Sequence, residues 1–259
     1  MKKLTKRQRF VITSTSLVIG FLIIGNLNND WKFLGISVLS GISVLMFYWS
    51  LREGIGANAT ALTLVLPAFF TLGVGLFWFL LPSTVFTRTP ILFLFAVGIY
   101  ALCLTMNIFI VSAIRTIALA RAAKGVGFVL TLFTGFLLFD AILSIRANIF
   151  LSILLAATVS FPLFLQGFWV SRLKPQLEKK LLVYSAVSTL SLSIIYTLLF
   201  FWPVSVIEGS IFLTVGVYML LGLGQVQLEG RLFKQTVREY LLVGSFVFLI
   251  LLILTSWKA

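Results

Sequence analysis

Two pairs of polar residues stand at matching intervals in a chain that is otherwise strongly apolar. Asn107 lies seven residues after Tyr100, and Gln225 lies seven residues after Tyr218. Seven residues make about two helical turns, so each tyrosine shares a helix face with its amide. Phenol and amide groups can hydrogen-bond the headgroup of an amphiphile, and we expect all four residues to line one cavity. The alternative is hydrogen bonding between helices, which holds a membrane bundle together without binding a ligand.

A single carboxylate, Asp140, lies inside one of the apolar segments, six residues before Arg146. A carboxylate inside a membrane is a natural site for a proton or a cation. In the alternative interpretation the side chain reaches water at the membrane surface, or pairs with a basic or amide group nearby. The sequence leaves both interpretations open.

Two arginines follow similar sequences, since Arg52 ends the segment WSLR and Arg172 ends the segment WVSR. A guanidinium binds phosphate through two parallel hydrogen bonds, so Arg52 and Arg172 are candidates for binding lipid headgroups. The same arrangement is also typical of an ordinary anchor at the membrane interface, where tryptophan and arginine often occur together.

The composition argues against most catalytic chemistry. The chain has no histidine and one cysteine, Cys103, and its seven carboxylates form no DxxD, ExxE or DxD pair. We therefore expect no metal site and no cofactor, and the sequence favours a protein that is not an enzyme. The remaining catalytic alternative is an enzyme acting on lipid headgroups at the inner membrane face, with Arg52, Arg172 and the Tyr100–Asn107 pair as its working residues.

The elements that must position these residues are membrane-spanning helices. Of the 259 residues, 60% are apolar and 10% are charged, whereas soluble domains average about 45–50% and about 25%. Segments of about 17–25 apolar residues cross a bilayer as helices. After a basic cytoplasmic leader at 1–9, they predict one all-α, polytopic, membrane-embedded domain over 10–259 with nine spans, at 10–26, 33–51, 57–81, 91–113, 126–144, 149–169, 181–202, 210–226 and 240–257.

The net charge of +13 is distributed unevenly over the predicted connections. Sixteen of the 20 Lys and Arg residues fall on the side of the amino terminus, and the other four fall on the opposite side: Lys32, Arg88, Arg146 and Lys258. The positive-inside rule therefore predicts a multi-pass protein of the cytoplasmic or plasma membrane, with its amino terminus inside and its carboxyl terminus outside. Anionic headgroups on the inner side are the expected partners of these charges, and nucleic acid is not required. Tryptophans near the span ends predict an aromatic interface belt, formed by Trp31, Trp49, Trp78, Trp169, Trp202 and Trp257.

Similar short segments recur at an offset of 118–121 residues, including the two tyrosine segments GIYAL and GVYML. They predict an internal duplication with repeats at 10–125 and 126–239 and an extra helix at 240–257. Four spans per repeat is an even number, so the repeats would be parallel, about an axis along the membrane normal. We expect the cavity lined by the tyrosine–amide pairs to lie at the repeat interface.

Local signals add three smaller expectations. Pro67 and Pro162 fall within predicted spans, where proline can kink a helix. Ser37 and Gly41 form a small-xxx-small pair, with Ser40 and Ser43 nearby, and together they predict close helix contact in the second span. The segment 225–240 fits either an amphipathic helix on the membrane surface or the continuation of the last two spans.

The sequence as a whole predicts a permease-like or lipid- and amphiphile-handling membrane protein without catalysis. A structural membrane subunit that holds protein partners in a larger complex remains an alternative, as does the headgroup enzyme. The sequence names no substrate and no partner beyond the bilayer and possible membrane proteins.

Overall fold

The computed structural model describes residues 5–27, 29–55, 59–82, 84–114 and 118–255. Within these ranges the chain forms nine α-helices and a 3₁₀ turn at Ala59–Leu64, and no strand. All nine helical segments, with the 3₁₀ turn counted into the third, are long and apolar enough to cross a membrane, which confirms the predicted class and span number. The helices are α1 (Lys6–Gly25), α2 (Asn29–Leu51), α3 (Val65–Leu80), α4 (Val85–Ile114), α5 (Ala120–Ile145), α6 (Ile149–Arg172), α7 (Lys179–Phe200), α8 (Val206–Leu228) and α9 (Lys234–Leu254).

The first helix begins earlier than its apolar segment predicts. Thr5 and Gln8 form a capping box, in which each side chain satisfies a backbone N–H of the other. Residues 6–9, predicted as part of a cytoplasmic leader, therefore belong to α1, and Arg9 is buried. Lys2 and Lys3 of that leader lie outside the described residues.

The chain divides into two compact units. Unit 1 comprises Met1–Leu130 and Leu173–Gln176, and unit 2 comprises Thr131–Arg172 and Leu177–Ala259. The division falls within α5, five residues after the predicted repeat boundary at 125/126. The duplication itself stays a prediction.

In unit 1, α2 packs on α3, and α1 packs on α2 and α4. The Ser40 hydroxyl donates to the Ala68 carbonyl of α3 at 2.9 Å. A Cβ added at Gly75 would collide with Ile36, so this glycine allows α2 and α3 to approach closely. Close contact of α2 is thus made on the side of Ser40, and Ser43 is fully buried. The part of the expectation that rested on Ser37 and Gly41 is wrong within this chain, because both residues are exposed and nothing lies within 4 Å of a Cβ at Gly41.

Stacked aromatic side chains form the core of unit 1. Phe95 of α4 stacks on Phe21 of α1, with ring centroids 4.7 Å apart, and on Phe70 of α3 at 6.1 Å. Phe21 also meets the Trp78 ring edge to face at 5.0 Å. Aromatic pairs add attraction beyond their buried area, so this cluster joins three helices of the unit.

In unit 2, α6 packs on α7, and α8 packs on α6, α7 and α9. Trp169 is fully buried near the end of α6, so it belongs to the core of the unit and not to the predicted aromatic belt. Trp257 lies outside the described residues. The last helix, α9, is the least buried of the candidate spans, with 11% of its apolar window covered.

The end of α8 decides between the two interpretations of 225–240. Gly230, at φ +73°, closes the helix, with hydrogen bonds from Gly230 N to the Gln227 carbonyl and from Arg231 N to the Val226 carbonyl, both at 3.0 Å. Residues 229–233 are a short linker, and α9 begins at Lys234. The segment is therefore the continuation of the last two spans and forms no separate surface helix.

The two prolines have different positions. Pro162 lies inside α6, as expected. Pro67 is the third residue of α3, within its first turn, where proline removes no hydrogen bond that the helix would make.

Candidate functional site

The four residues of the predicted polar cavity occur on α4 and α8. In unit 1, Tyr100 is 36% exposed and Asn107 is partly buried. In unit 2, the Gln225 amide donates to the Gly167 carbonyl of α6 at 2.9 Å, and the Tyr218 ring lies 4.9 Å from the Tyr240 ring of α9. Gln225 thus makes the interhelical hydrogen bond that the alternative interpretation describes. The convergence of the four residues on one cavity stays a prediction.

Asp140 lies within unit 2 and is 5% exposed. The Ser210 hydroxyl of α8, which donates to the Ile207 carbonyl at 2.9 Å, interacts with its carboxylate. The residue therefore has a packing partner, which is a hydroxyl instead of the basic or amide group expected from the sequence. Its role as a proton or cation site stays a prediction.

Arg52 comes directly after α2, and Arg172 is the last residue of α6. Both side chains are exposed, as a headgroup contact or an interface anchor requires. Their binding to headgroups stays a prediction.

An ion cluster that the sequence did not indicate joins the start of α1 to the turn after α2. The Arg9 guanidinium hydrogen-bonds the Glu53 carboxylate, and the Lys6 ammonium lies 3.3 Å from it. The hydrogen bond from Arg9 and, to a smaller extent, the one from Lys6 lower the pKa of the Glu53 carboxyl. Arg9 and Glu53 are 44 residues apart in the sequence, so no local spacing predicts this contact.

A cavity that contains an arginine lies in unit 2 and has a volume of about 440 Å³. We call it the Arg146 cavity. Arg146 is exposed at its rim, while Tyr196 and Ser152 are buried and their hydroxyl groups interact. The Ser152 hydroxyl donates to the Ala147 carbonyl at 3.4 Å. The remaining lining is mostly apolar, with Trp202 and Ser205 as further polar groups, and includes Ile142, Leu143, Leu199, Phe200, Val204 and Val206.

Two helix connections build this cavity. After α5, Arg146 adopts φ +48°, a left-handed conformation that is costly for a residue with a side chain. Asn148 then caps α6 by accepting from Leu151 N at 2.8 Å. After α7, Ser205 and Glu208 form a capping box that fixes the start of α8. Sharp, capped turns on both connections thus define the cavity walls.

The chemistry of the Arg146 cavity is that of an amphiphile site. A guanidinium is suited to phosphate and carboxylate groups, and within the described part of the chain no carboxylate pairs with Arg146. Apolar side chains below it can contact hydrocarbon. In the sequence, Arg146 is one of the few basic residues on the less basic side of the predicted topology, and that rarity is its only signal.

The nine candidate spanning helices define a multi-pass α-helical membrane protein. The chain belongs to the family described as "Protein of unknown function (DUF5656)", which its residues 18–254 match. No curated protein and no solved structure matches the chain.

Proposed function

We propose that the protein handles anionic amphiphiles without catalysis and holds their headgroups in the Arg146 cavity. The observation that carries this proposal is the combination of the exposed Arg146 guanidinium with the buried Tyr196–Ser152 pair in an apolar cavity of about 440 Å³. Ligand pockets of this size, mostly apolar with few polar groups, are typical of small-molecule sites.

The amphiphile class follows from the charges that the cavity offers. Arg146 supplies positive charge, and the groups deeper in the cavity are hydroxyls that can donate to or accept from a headgroup. A zwitterionic headgroup brings a cation next to Arg146, whereas phosphatidylglycerol brings only negative charge. Anionic headgroups should therefore bind more tightly than zwitterionic ones.

The proposal includes an orientation. With the amino terminus inside, the basic connections that contain Arg52 and Arg172 face the anionic headgroups of the inner leaflet, and the Arg146 cavity opens outside. Reporter fusions at Lys124 and Lys179 should then read inside, and fusions at Arg88 and Glu208 outside. One fusion on the wrong side would contradict this orientation.

Native mass spectrometry of the full chain in neutral detergent tests the binding site. The protein is titrated with phosphatidylglycerol or phosphatidylcholine, and the variants are Arg146→Asn and, as a matched control, Arg231→Asn. Asparagine tolerates the left-handed backbone at position 146, so this change removes the guanidinium without adding strain. Arg231 is an exposed arginine in the linker between α8 and α9.

We expect Arg146→Asn to weaken phosphatidylglycerol binding by about tenfold or more, because a charged hydrogen bond is worth about 1.5–3 kcal/mol. Phosphatidylcholine binding and the Arg231→Asn control should change little. Equal retention of both lipids, or equal loss in both variants, would contradict the proposal. Retention of a membrane protein in place of lipid would favour the structural-subunit alternative.

A further inference from the structure

Unit 1 contains a smaller cavity where the end of α1, the end of α3 and the start of α4 meet. Its volume is about 230 Å³, and its lining includes Leu22, Asn26, Trp78, Arg88, Thr89 and Leu92. We call it the Arg88 cavity. None of these residues lines the Arg146 cavity, so the two cavities can be examined separately.

Two hydrogen-bond donors on residues that line this cavity have no acceptor among the described residues. The Arg88 guanidinium carbon lies 5.3 Å from the centroid of the Trp78 ring, in a cation–π arrangement. Arg88 Nε and Trp78 Nε1 are both buried, and neither has a hydrogen-bond partner among the described residues. The Trp78 side chain is nine-tenths or more buried, since the residue is only 5% exposed. A buried donor without an acceptor costs free energy, and a ligand that supplies oxygen atoms would recover it.

The charge of the cavity points to a negative ligand. Of the described side chains lining it, none is a carboxylate, and Arg88 gives it a net positive charge. The Asn26 amide already donates to the Leu22 carbonyl at 3.1 Å. The ligand must therefore provide both the acceptor atoms and the compensating charge.

The size of the cavity limits the ligand to a small group. Pockets for drug-sized molecules have volumes of about 300–1,000 Å³, which exceeds the 230 Å³ available here. A tetrahedral or planar oxyanion, such as a phosphate, a phosphate monoester or a carboxylate, needs less space. The same chemistry is present in a free anion and in the phosphate of a lipid headgroup.

We propose that the Arg88 cavity is a second, independent oxyanion-binding site, in which Arg88 and the Trp78 indole donate hydrogen bonds to the oxygen atoms of a phosphate-type group. The Arg88 guanidinium can donate two parallel, charge-assisted hydrogen bonds to a phosphate, and these bonds provide the affinity. The buried indole N–H selects a ligand with a correctly placed acceptor. This site goes beyond the proposed amphiphile function, because it shares no residue with the Arg146 cavity.

The indole N–H resonance of Trp78 reports directly on this hydrogen bond. The full chain, labelled with ¹⁵N-tryptophan in neutral detergent micelles, is titrated with inorganic phosphate at constant ionic strength maintained by chloride. The R146N background removes binding at the other cavity. Trp78→Phe assigns the resonance, and Trp202, whose indole N–H already donates to Thr255 at 3.0 Å, serves as the internal control.

We expect the Trp78 indole proton to move downfield in a saturable manner, while the Trp202 signal changes little. Arg88→Gln should weaken phosphate binding by about tenfold or more, and Arg88→Lys should retain part of it. Arg121→Gln, at an exposed arginine of α5, is the matched control and should bind as the R146N parent does.

The source of the oxyanion is decided in two further titrations, with short-chain phosphatidylglycerol and short-chain phosphatidylcholine. A saturable shift with phosphate supports a site for free anions, and a shift with phospholipid alone supports a site for a headgroup phosphate. Failure of phosphate and both lipids to shift the resonance would overturn the proposal. So would an equal shift with chloride alone, or unchanged affinity in Arg88→Gln when the spectrum shows a folded protein.

Discussion

Trp78 and Trp202 lie near the ends of the third helices of their units, and their indole N–H groups have different surroundings. Trp202 donates to the Thr255 hydroxyl at 3.0 Å, and its ring meets Phe248 edge to face at 5.7 Å. Trp78 packs against Phe21 and beneath Arg88, while its N–H has no acceptor in the described part of the chain.

The difference follows from the helix that each unit places beside its tryptophan. Thr255 comes directly after α9, which packs on α8 in unit 2 and brings a hydroxyl to Trp202. In the described part of unit 1, no side chain supplies an equivalent hydroxyl to Trp78. The Trp202 N–H is already used in a hydrogen bond to Thr255, whereas the Trp78 N–H can still donate to a ligand.

The largest expected effect concerns the aromatic core that holds Trp78. Phe95→Ala removes a fully buried ring that stacks on Phe21 and Phe70. We expect the free energy of unfolding to fall by about 3–5 kcal/mol, the usual cost of such a truncation. Denaturation in mixed detergent, followed by circular dichroism, measures this change. Phe246→Ala, at an exposed position of α9, is the control and should cost little.

A smaller effect is expected when Trp202 is made to resemble Trp78. Thr255→Val is close in shape but removes the acceptor, so the Trp202 N–H becomes unpaired. We expect a loss of about 1–3 kcal/mol in the free energy of unfolding and faster exchange of the Trp202 indole proton. Thr158→Val, at an exposed threonine that bonds only its own helix, is the control. An unchanged exchange rate of the Trp202 indole proton in Thr255→Val would show that the hydrogen bond to Thr255 does not distinguish Trp202 from Trp78.

The smallest effect concerns the ion cluster of unit 1 and depends on pH. The pKa of Glu53 in the folded protein lies below its ordinary value of 4.5. The ion cluster therefore stabilises the fold fully above pH 4.5, and this stabilisation is lost as the pH falls through the lowered pKa. The melting temperature of the wild type should therefore fall more on acidification from about pH 5 to about pH 3 than that of Glu53→Gln.

Glu239→Gln is the matched control for this measurement. Glu239 is an exposed carboxylate that accepts from the neutral amide of Gln235 at 3.1 Å. Its replacement should leave the pH dependence of the melting temperature close to that of the wild type. An identical pH dependence in the wild type and Glu53→Gln would show that the cluster contributes nothing.

Apolar segment length predicted the helical class and all nine spans, because a membrane requires each helix to satisfy its own backbone. It could not predict helix ends that polar caps determine. Thr5 starts α1 within the basic leader, and Ser205 starts α8 four residues before the predicted span.

The candidate cavities were harder to predict, because they depend on contacts between distant residues. The sequence predicts Trp78 as an interface tryptophan and Arg88 as one of a few outer charges. Only the fold shows that the Arg88 guanidinium carbon lies 5.3 Å from the Trp78 ring centroid. Tyr196 and Ser152, 44 residues apart, show no pattern in the sequence. The acceptor of the Gln225 amide, the Gly167 backbone carbonyl, has no sequence signature.

Photo-crosslinking with phosphatidylglycerol that has a diazirine in its headgroup can show whether the Arg146 cavity receives anionic headgroups. Labelling of the wild type in bilayers should concentrate in peptides covering 142–152 and 199–206, and Arg146→Asn should abolish it there. Labelling spread over the exposed apolar face of α9 and unaffected by Arg146→Asn would contradict the proposal.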